Sequence, residues 1–285
     1  MAQGDRTVDG CPDTLPCAAE DGNLSGSMPL PWGRAPLTFP RLQKISDPVK
    51  RGMTLAQIRA IRDFVKKLCK VGLLTYPEDT RSGKEPNSRI KWSQITMHEV
   101  NSEVIKRIIP RDHSCSWVEV VTAQGEERDR RFFCSHSWSE TFRDFVSTIE
   151  RHALEHRVSP ADAYWICTFA NDQWRIELGI HLSESPFYKA LRGAEMTVLF
   201  VDKQADCLKR LWVVFEMSET VDLKQTLSVW SPLGRIGSCL VSSGPMVEAV
   251  ELLQVEKARA SDPCDQQQIF NYITDEDEMD GIKIL

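Results

Sequence analysis

No apolar run in this 285-residue chain approaches the roughly 20 residues that span a bilayer, which excludes a membrane-crossing helix from the expected architecture. Met1 to Gly10 lack the hydrophobic stretch of a secretory signal, so the chain is expected to be cytoplasmic. Nine cysteines are present, yet none forms a CxxC pair or a zinc-ligand spacing. Cys69, Cys134, Cys167 and Cys207 fall inside apolar segments, as buried free thiols of a reducing compartment do. The sequence holds no Walker loop, no GxGxxG after a strand, no HExxH and no GxSxG, which removes kinases, ATPases, zincins and α/β hydrolases. Positive charge is also in deficit: the formal net charge is −6, which argues against nucleic acid as a partner.

What is present divides the chain into four stretches. Residues 1–50 are rich in Pro, Gly, Ser and Asp without periodicity, and are expected to be disordered because they bury too little to offset ordering entropy. Residues 51–125 read as a small, mostly helical region. It opens at the capping box Thr54-Leu55-Ala56-Gln57, and Leu55, Ile58, Ile61, Phe64, Val65, Leu68 and Cys69 recur at helical spacing up to Gly72. Residues 51–117 carry 13 Lys/Arg against 7 Asp/Glu, and Arg59, Arg62, Lys66, Lys67 and Lys70 occupy the outer faces of that first helix, read as a solvated face. Residues 126–274 alternate apolar strands with amphipathic helices. The strands are placed at Arg131 to Ser135, Ala163 to Thr168, Met196 to Val201 and Thr226 to Trp230. The helices follow a capping box at Ser137-Trp138-Ser139-Glu140, start at Pro186, cover 205–220, run over 246–259 with Val247, Val250 and Leu253 inward, and cover Gln266 to Ile273. Residues 275–285 read as an acidic, frayed tail. This alternation predicts an α/β fold, a parallel sheet flanked by helices on both faces.

Functional groups of such sheets gather beyond the carboxyl ends of the strands. Those ends deliver Ser135, His136 and Trp138 after the first strand, and Phe169, Asn171, Asp172 and Trp174 after the second. The densest signal lies further on, in Leu208-Lys209-Arg210-Leu211-Trp212-Val213-Val214-Phe215-Glu216. At i and i+4, Trp212 and Glu216 share one helix face at the edge of an apolar stripe. Glu216 is therefore either a surface carboxylate paired with Lys209 or Arg210, or a group with a raised pKa and a specific partner. Cys134 and His136 share a strand face but have no third residue to orient them as a nucleophile pair. His152 and His156, one helical turn apart, read as surface residues and not as a metal site.

Taken together, these segments resemble the Toll/interleukin-1 receptor (TIR) superfamily, and more closely a divergent TIR-like group abundant in dinoflagellates and other algae. Phe132-Phe133-Cys134-Ser135-His136-Ser137-Trp138 is similar to the F-(I/V)-S-H opening of TIR domains. Arg210 to Glu216 resembles their W-C-x-x-E helix, with Val213 in place of the cysteine. Tyr164-Trp165-Ile166-Cys167 running into Asn171-Asp172-Gln173 resembles the Y-W-(V/I)-C-x-(Y/F)-A-N-(N/D)-Q segment of the algal group. The resemblance covers residues 115–220 well and 221–285 poorly. It implies a flavodoxin-like sheet and two alternative roles, a protein–protein assembly module or a hydrolase that cleaves NAD at the nicotinamide–ribose bond. In the second role Glu216 is the catalytic carboxylate, and Ser135, His136, Trp138, Phe169, Asn171, Asp172, Trp174 and Trp212 line the substrate pocket. NAD is then a substrate and no cofactor is expected; the partners are a nucleotide and further copies in a homo-oligomer. The loop after the second strand carries Trp174 and Glu177 and lacks the Arg-Asp and Pro-Gly dipeptides of receptor-type TIR loops. Arg143 and Arg175 are the only basic residues near a place where some TIR enzymes hold a cation.

Overall fold

The computed structural model describes residues 44–78, 83–176, 178–179, 181–202, 205–260 and 263–280. Six strands form one sheet: β1 (Met53–Thr54), β2 (Phe132–Ser135), β3 (Ala163–Ile166), β4 (Met196–Phe200), β5 (Thr226–Ser231) and β6 (Gly234–Arg235). Their spatial order is β1-β3-β2-β4-β5-β6. The inner four run parallel, with Phe132 opposite both Tyr164 and Met196, while β1 and β6 close the edges antiparallel. The helices are α1 (Leu55–Val71), α2 (Met97–Val100), α3 (Lys106–Ile108), α4 (Trp117–Val121), α5 (Phe142–Glu155), α6 (Cys167–Ala170), α7 (Pro186–Arg192), α8 (Leu211–Asp222), α9 (Gly244–Glu251) and α10 (Pro263–Asp280). A π turn at Asn101–Ile105 joins α2 to α3. The α/β class expected from the alternation is the class found.

Every residue of β2 and β3 is buried, as strands covered on both faces must be. Alternation sends Phe132, Cys134, Tyr164 and Ile166 to the layer containing α1 and α5, and Phe133 and Trp165 to the layer of α7 and α8. The first layer reaches into the N-terminal region: Ile58, Val100, Val104 and Trp117 pack in the same cluster as Phe132 and Phe145. Residues 51–125 therefore share a core with the sheet, and they also supply its edge strand β1.

Local rules account for the ends of several elements. Thr54 and Gln57 form the expected capping box of α1, and Gly72 ends that helix in the left-handed conformation. Ser185 caps α7, with Pro186 in its first turn. Before α1, Gly52 sits where a Cβ would lie 2.7 Å from the Ala163 Cβ and 2.9 Å from the Arg128 carbonyl oxygen. Gly52→Ala is expected to push β1 off β3 and lower the free energy of unfolding by roughly 1–3 kcal/mol. An unchanged urea midpoint would refute this account of the edge.

Several expectations are corrected. Residues 44–50 are ordered, although the first 50 were expected to be disordered. Ile45 is buried with its N–H on Glu119 Oε1 at 2.8 Å, and the Pro48 carbonyl accepts from Trp165 Nε1 at 2.9 Å. The expectation for residues 1–43 lies outside the described residues. The helix after β2 begins at Phe142 with Thr141 as its cap, because Ser137 Oγ accepts from the Ser139 N–H and Glu140 turns into the interior. The apolar stretch 163–168 leaves the sheet at Ile166, since Cys167 opens the single turn α6. Two helices replace the one placed at 205–220: a 3-10 turn at Asp206–Lys209 precedes α8. Likewise α9 ends at Glu251, and Val247 and Val250 are 50% and 46% exposed where they were expected inward. At the C-terminus the α10 backbone continues to Asp280, through part of the stretch expected to fray, and residues 281–285 lie outside the described residues.

His152 is buried and not a surface residue. Its ring stacks on His156 at 4.4 Å, and its Nδ1 shares a 2.8 Å hydrogen bond with the Tyr164 hydroxyl. On the basic helix, Arg59 and Arg62 both ion-pair with Glu150 of α5. No helix among the described residues is long and apolar enough to cross a membrane.

Candidate functional site

A cavity of about 710 Å³ opens beyond the carboxyl ends of β2 and β3, within the range of small-molecule sites. From β2 the chain steps to β3 on one side, and from β3 it crosses back past β2 to β4 on the other, so the strand order reverses beside this cavity. α8 brings Trp212 and Glu216 to the wall, and the loop after β2 brings His136 and Trp138. The fourth side is the segment 96–106, from the region before the sheet.

Glu216 is 5% exposed. Ser135 Oγ, at the end of β2, donates to its Oε2 at 2.5 Å. Burial pushes the Glu216 carboxyl up to about 7, and the Ser135 hydroxyl and the nearby Arg210 guanidinium partly offset that rise. The ion pair weighed for Glu216 is not the one formed. Lys209 pairs with Asp206, and Arg210 donates to the His136 carbonyl at 3.3 Å. Trp212 is stacked on Phe187 with ring centroids 4.6 Å apart, and its Nε1 donates to Asp265 of α10 at 3.0 Å.

Burial and the Arg210 charge drive the His136 imidazole down to about 3, so it is neutral in the working range of pH. Its Nε2 lies 3.7 Å from Cys167 Sγ, while Nδ1 is buried without a partner among the described residues. The Cys167 thiol is raised by burial and then by Glu216, which holds it protonated. Thus the thiol next to His136 is Cys167, on the adjacent strand's end, and not Cys134.

The other sequence candidates occupy different places. Ser135 lies behind Glu216 as its hydrogen-bond donor. Phe169 is a core residue packed 6.3 Å from Phe142. Asn171 is buried off the cavity with Nδ2 unpartnered among the described residues. Asp172 accepts from the Trp174 N–H and the Ser114 hydroxyl, forming a turn. Trp174 donates to the Ile109 carbonyl and carries Lys106 over its ring at 4.7 Å. Arg143 pairs with Asp144 on the surface. Glu177 lies outside the described residues.

The wall also holds His98, Asn101, Lys106 and Asp265, which sequence reasoning did not single out, and Cys167 and Gln173, which it named only as parts of the segment after the second strand. His98 packs edge-on against Trp138 at 5.4 Å. Gln173 Nε2 donates to the carbonyls of Cys167 and Asn171, fixing the loop after β3. Only Cys167 and Gln173 had a readable signal, through their place after a strand. Among the described residues no cluster of His, Cys, Asp and Glu is arranged to hold a metal ion.

The arrangement offers one buried carboxylate that ionises near neutrality, aromatic rings at its side, and cations from two elements. That set suits stabilisation of a developing positive charge on a ligand that also carries anionic groups. Comparison with protein-family models, with curated proteins and with solved structures finds no match to this chain.

Proposed function

We propose that this chain is a TIR-like, flavodoxin-like domain that binds NAD or a related nucleotide and cleaves its nicotinamide–ribose bond, with Glu216 as the catalytic carboxylate. One observation carries the reading: a buried carboxylate, one helical turn after a tryptophan, faces a cavity at the point where the parallel strand order reverses. Departure of nicotinamide, which takes the bonding electron pair, leaves positive charge on the ribose ring, and a solvent water then bonds to the carbon that lost the base and gives up a proton, yielding ADP-ribose. An ionised Glu216 stabilises that charge directly or holds a ribose hydroxyl, and the neutral leaving group needs no strong acid. The Ser135 hydroxyl orients the carboxylate and favours its ionised form. Trp212 and Trp138 supply apolar faces for a planar base.

The direct test is incubation of the full chain with NAD while nicotinamide release is followed. Release above the uncatalysed rate is expected, and no release over a broad range of protein and NAD concentration would remove the enzymatic reading.

A second reading, homotypic assembly without turnover, draws on Leu233, Leu240 and Leu252, which are exposed together with half-exposed Val247 and Val250. Concentration-dependent association in sedimentation, with NAD untouched, would put it in first place.

A further inference from the structure

The wall formed by segment 96–106 has no part in the catalytic proposal, yet it contains features that a merely structural wall does not need. Asn101 is only 9% exposed, faces the cavity, and its Oδ1 has no partner among the described residues. A buried amide oxygen without a donor costs free energy unless something else supplies one. Lys106 lines the same cavity. Burial lowers its ammonium pKa, with Asp172 acting the other way, and among the described residues it forms no ion pair. Its ammonium rests on the face of Trp174, which positions a cation without neutralising it. Arg210, on the α8 side, is held by the His136 carbonyl and likewise makes no ion pair among the described residues.

The backbone explains how Asn101 and Lys106 come to face one space. Along a regular α-helix, five residues leave two side chains roughly 140° apart. Here the Lys106 N–H closes onto the Asn101 carbonyl through the π turn Asn101–Ile105. The wider i-to-i+5 turn brings these two positions onto one face. Without the extra residue, one of them would leave the wall.

We infer that the segment 96–106 completes the cavity within a single chain, as a recognition wall for a phosphorylated ribose. Lys106 and Arg210 meet the phosphate oxygens, and the Asn101 Oδ1 accepts from a sugar hydroxyl. The inference shares the nucleotide of the proposed function but does not depend on bond cleavage. It assigns a ligand role to the region before the sheet, and it makes a second copy unnecessary for binding.

The test uses the full chain and ADP-ribose, which has no nicotinamide bond left to break, by titration calorimetry at concentrations where sedimentation shows a monomer. Binding is expected at one ligand per chain and should weaken as salt is raised. Lys106→Met, which keeps the packing on Trp174, should weaken it by about ten- to a hundredfold. Lys106→Arg should recover most of the loss, and Asn101→Leu should weaken binding independently of salt. Circular dichroism melting of each variant separates lost binding from lost fold. Three results would overturn the inference: no binding by the wild-type monomer, one ligand per two chains, or equal affinity in Lys106→Met. Lys106-dependent binding of ADP-ribose with no NAD turnover would instead remove the hydrolase reading and leave this wall standing.

Discussion

Exchange of Glu216 for glutamine is expected to reduce nicotinamide release by about two to three orders of magnitude, the usual loss when one preorganised electrostatic group is removed from a site. Glutamine keeps the shape and can still accept from Ser135 Oγ, so the melting temperature should not fall. Binding of ADP-ribose should change little, because the anion-recognising residues are elsewhere. The pH profile provides a second readout. Burial lifts the Glu216 carboxyl to about 7, and the reactive form is the ionised one, so kcat/KM should rise as pH increases through about 7 and level off above it. Ser135→Ala removes the hydrogen bond that favours the charged form. Its rising limb should therefore move to higher pH, while the plateau value changes less. Turnover in Glu216→Gln that equals the wild type would eliminate the mechanism outright.

The second large effect is on stability and lies outside the cavity. Glu140 is 8% exposed, and neither carboxylate oxygen has a hydrogen-bond partner among the described residues. Burial, with Asp144 and Asp202 nearby, pushes its pKa up to about 8 from an ordinary 4.5. The folded-state value lies above the unfolded one, so the unfolded chain releases this proton first as pH rises. Stability is thus unaffected by Glu140 below about pH 4.5, falls between there and 8 by about 1.4 kcal/mol per pH unit, and is fully reduced above 8. Glutamine cannot ionise. Glu140→Gln should therefore be more stable than the wild type at pH 8.5 by on the order of 4 kcal/mol, with little difference at pH 5, measured by urea unfolding. His136 and His152 act in the opposite direction. Burial holds both near 3, below the ordinary 6.5, so they cost stability as pH falls from 6.5 toward 3. Between about 4.5 and 6.5 the two histidines oppose Glu140 and Glu216, and a flatter stability profile is expected there, with a decline on either side. A wild-type stability that keeps climbing from pH 6 to 8.5 would contradict this assignment.

The sequence revealed much of the sheet and little of the wall facing it. Strands β2, β3 and β4 are buried on both faces and so read as apolar runs, while the helices between them keep a single apolar stripe. The Trp212–Glu216 pair is local, since i and i+4 on one helix fix their adjacency. Ser135, 81 residues earlier, reaches Glu216 because both lie at the same end of the sheet. What the sequence hid depends on tertiary choices. Two capping signals compete before α5, and burial of Glu140 decides for Thr141. Asn171 and Asp172 have the composition of turn formers, and Asp172 acts as one. No periodicity marks a π turn, so the shared face of Asn101 and Lys106 could not be read from their spacing. The aromatic environment of His152 is assembled from Phe132 of β2, Tyr164 of β3 and Trp230 of β5, which only the sheet brings together.

The hydrogen bond from Trp212 Nε1 to Asp265 ties the rim of the cavity to α10, whose Ile269 is buried in the layer that also contains Trp212. Any molecule that stacks on that indole meets a ring whose orientation the last helix helps to set. Reciprocity then requires that what steadies one must steady the other. Occupancy of the cavity should accordingly be visible from a distance, as slower proteolytic clipping before Pro263 and slower amide exchange along the first turns of the closing helix.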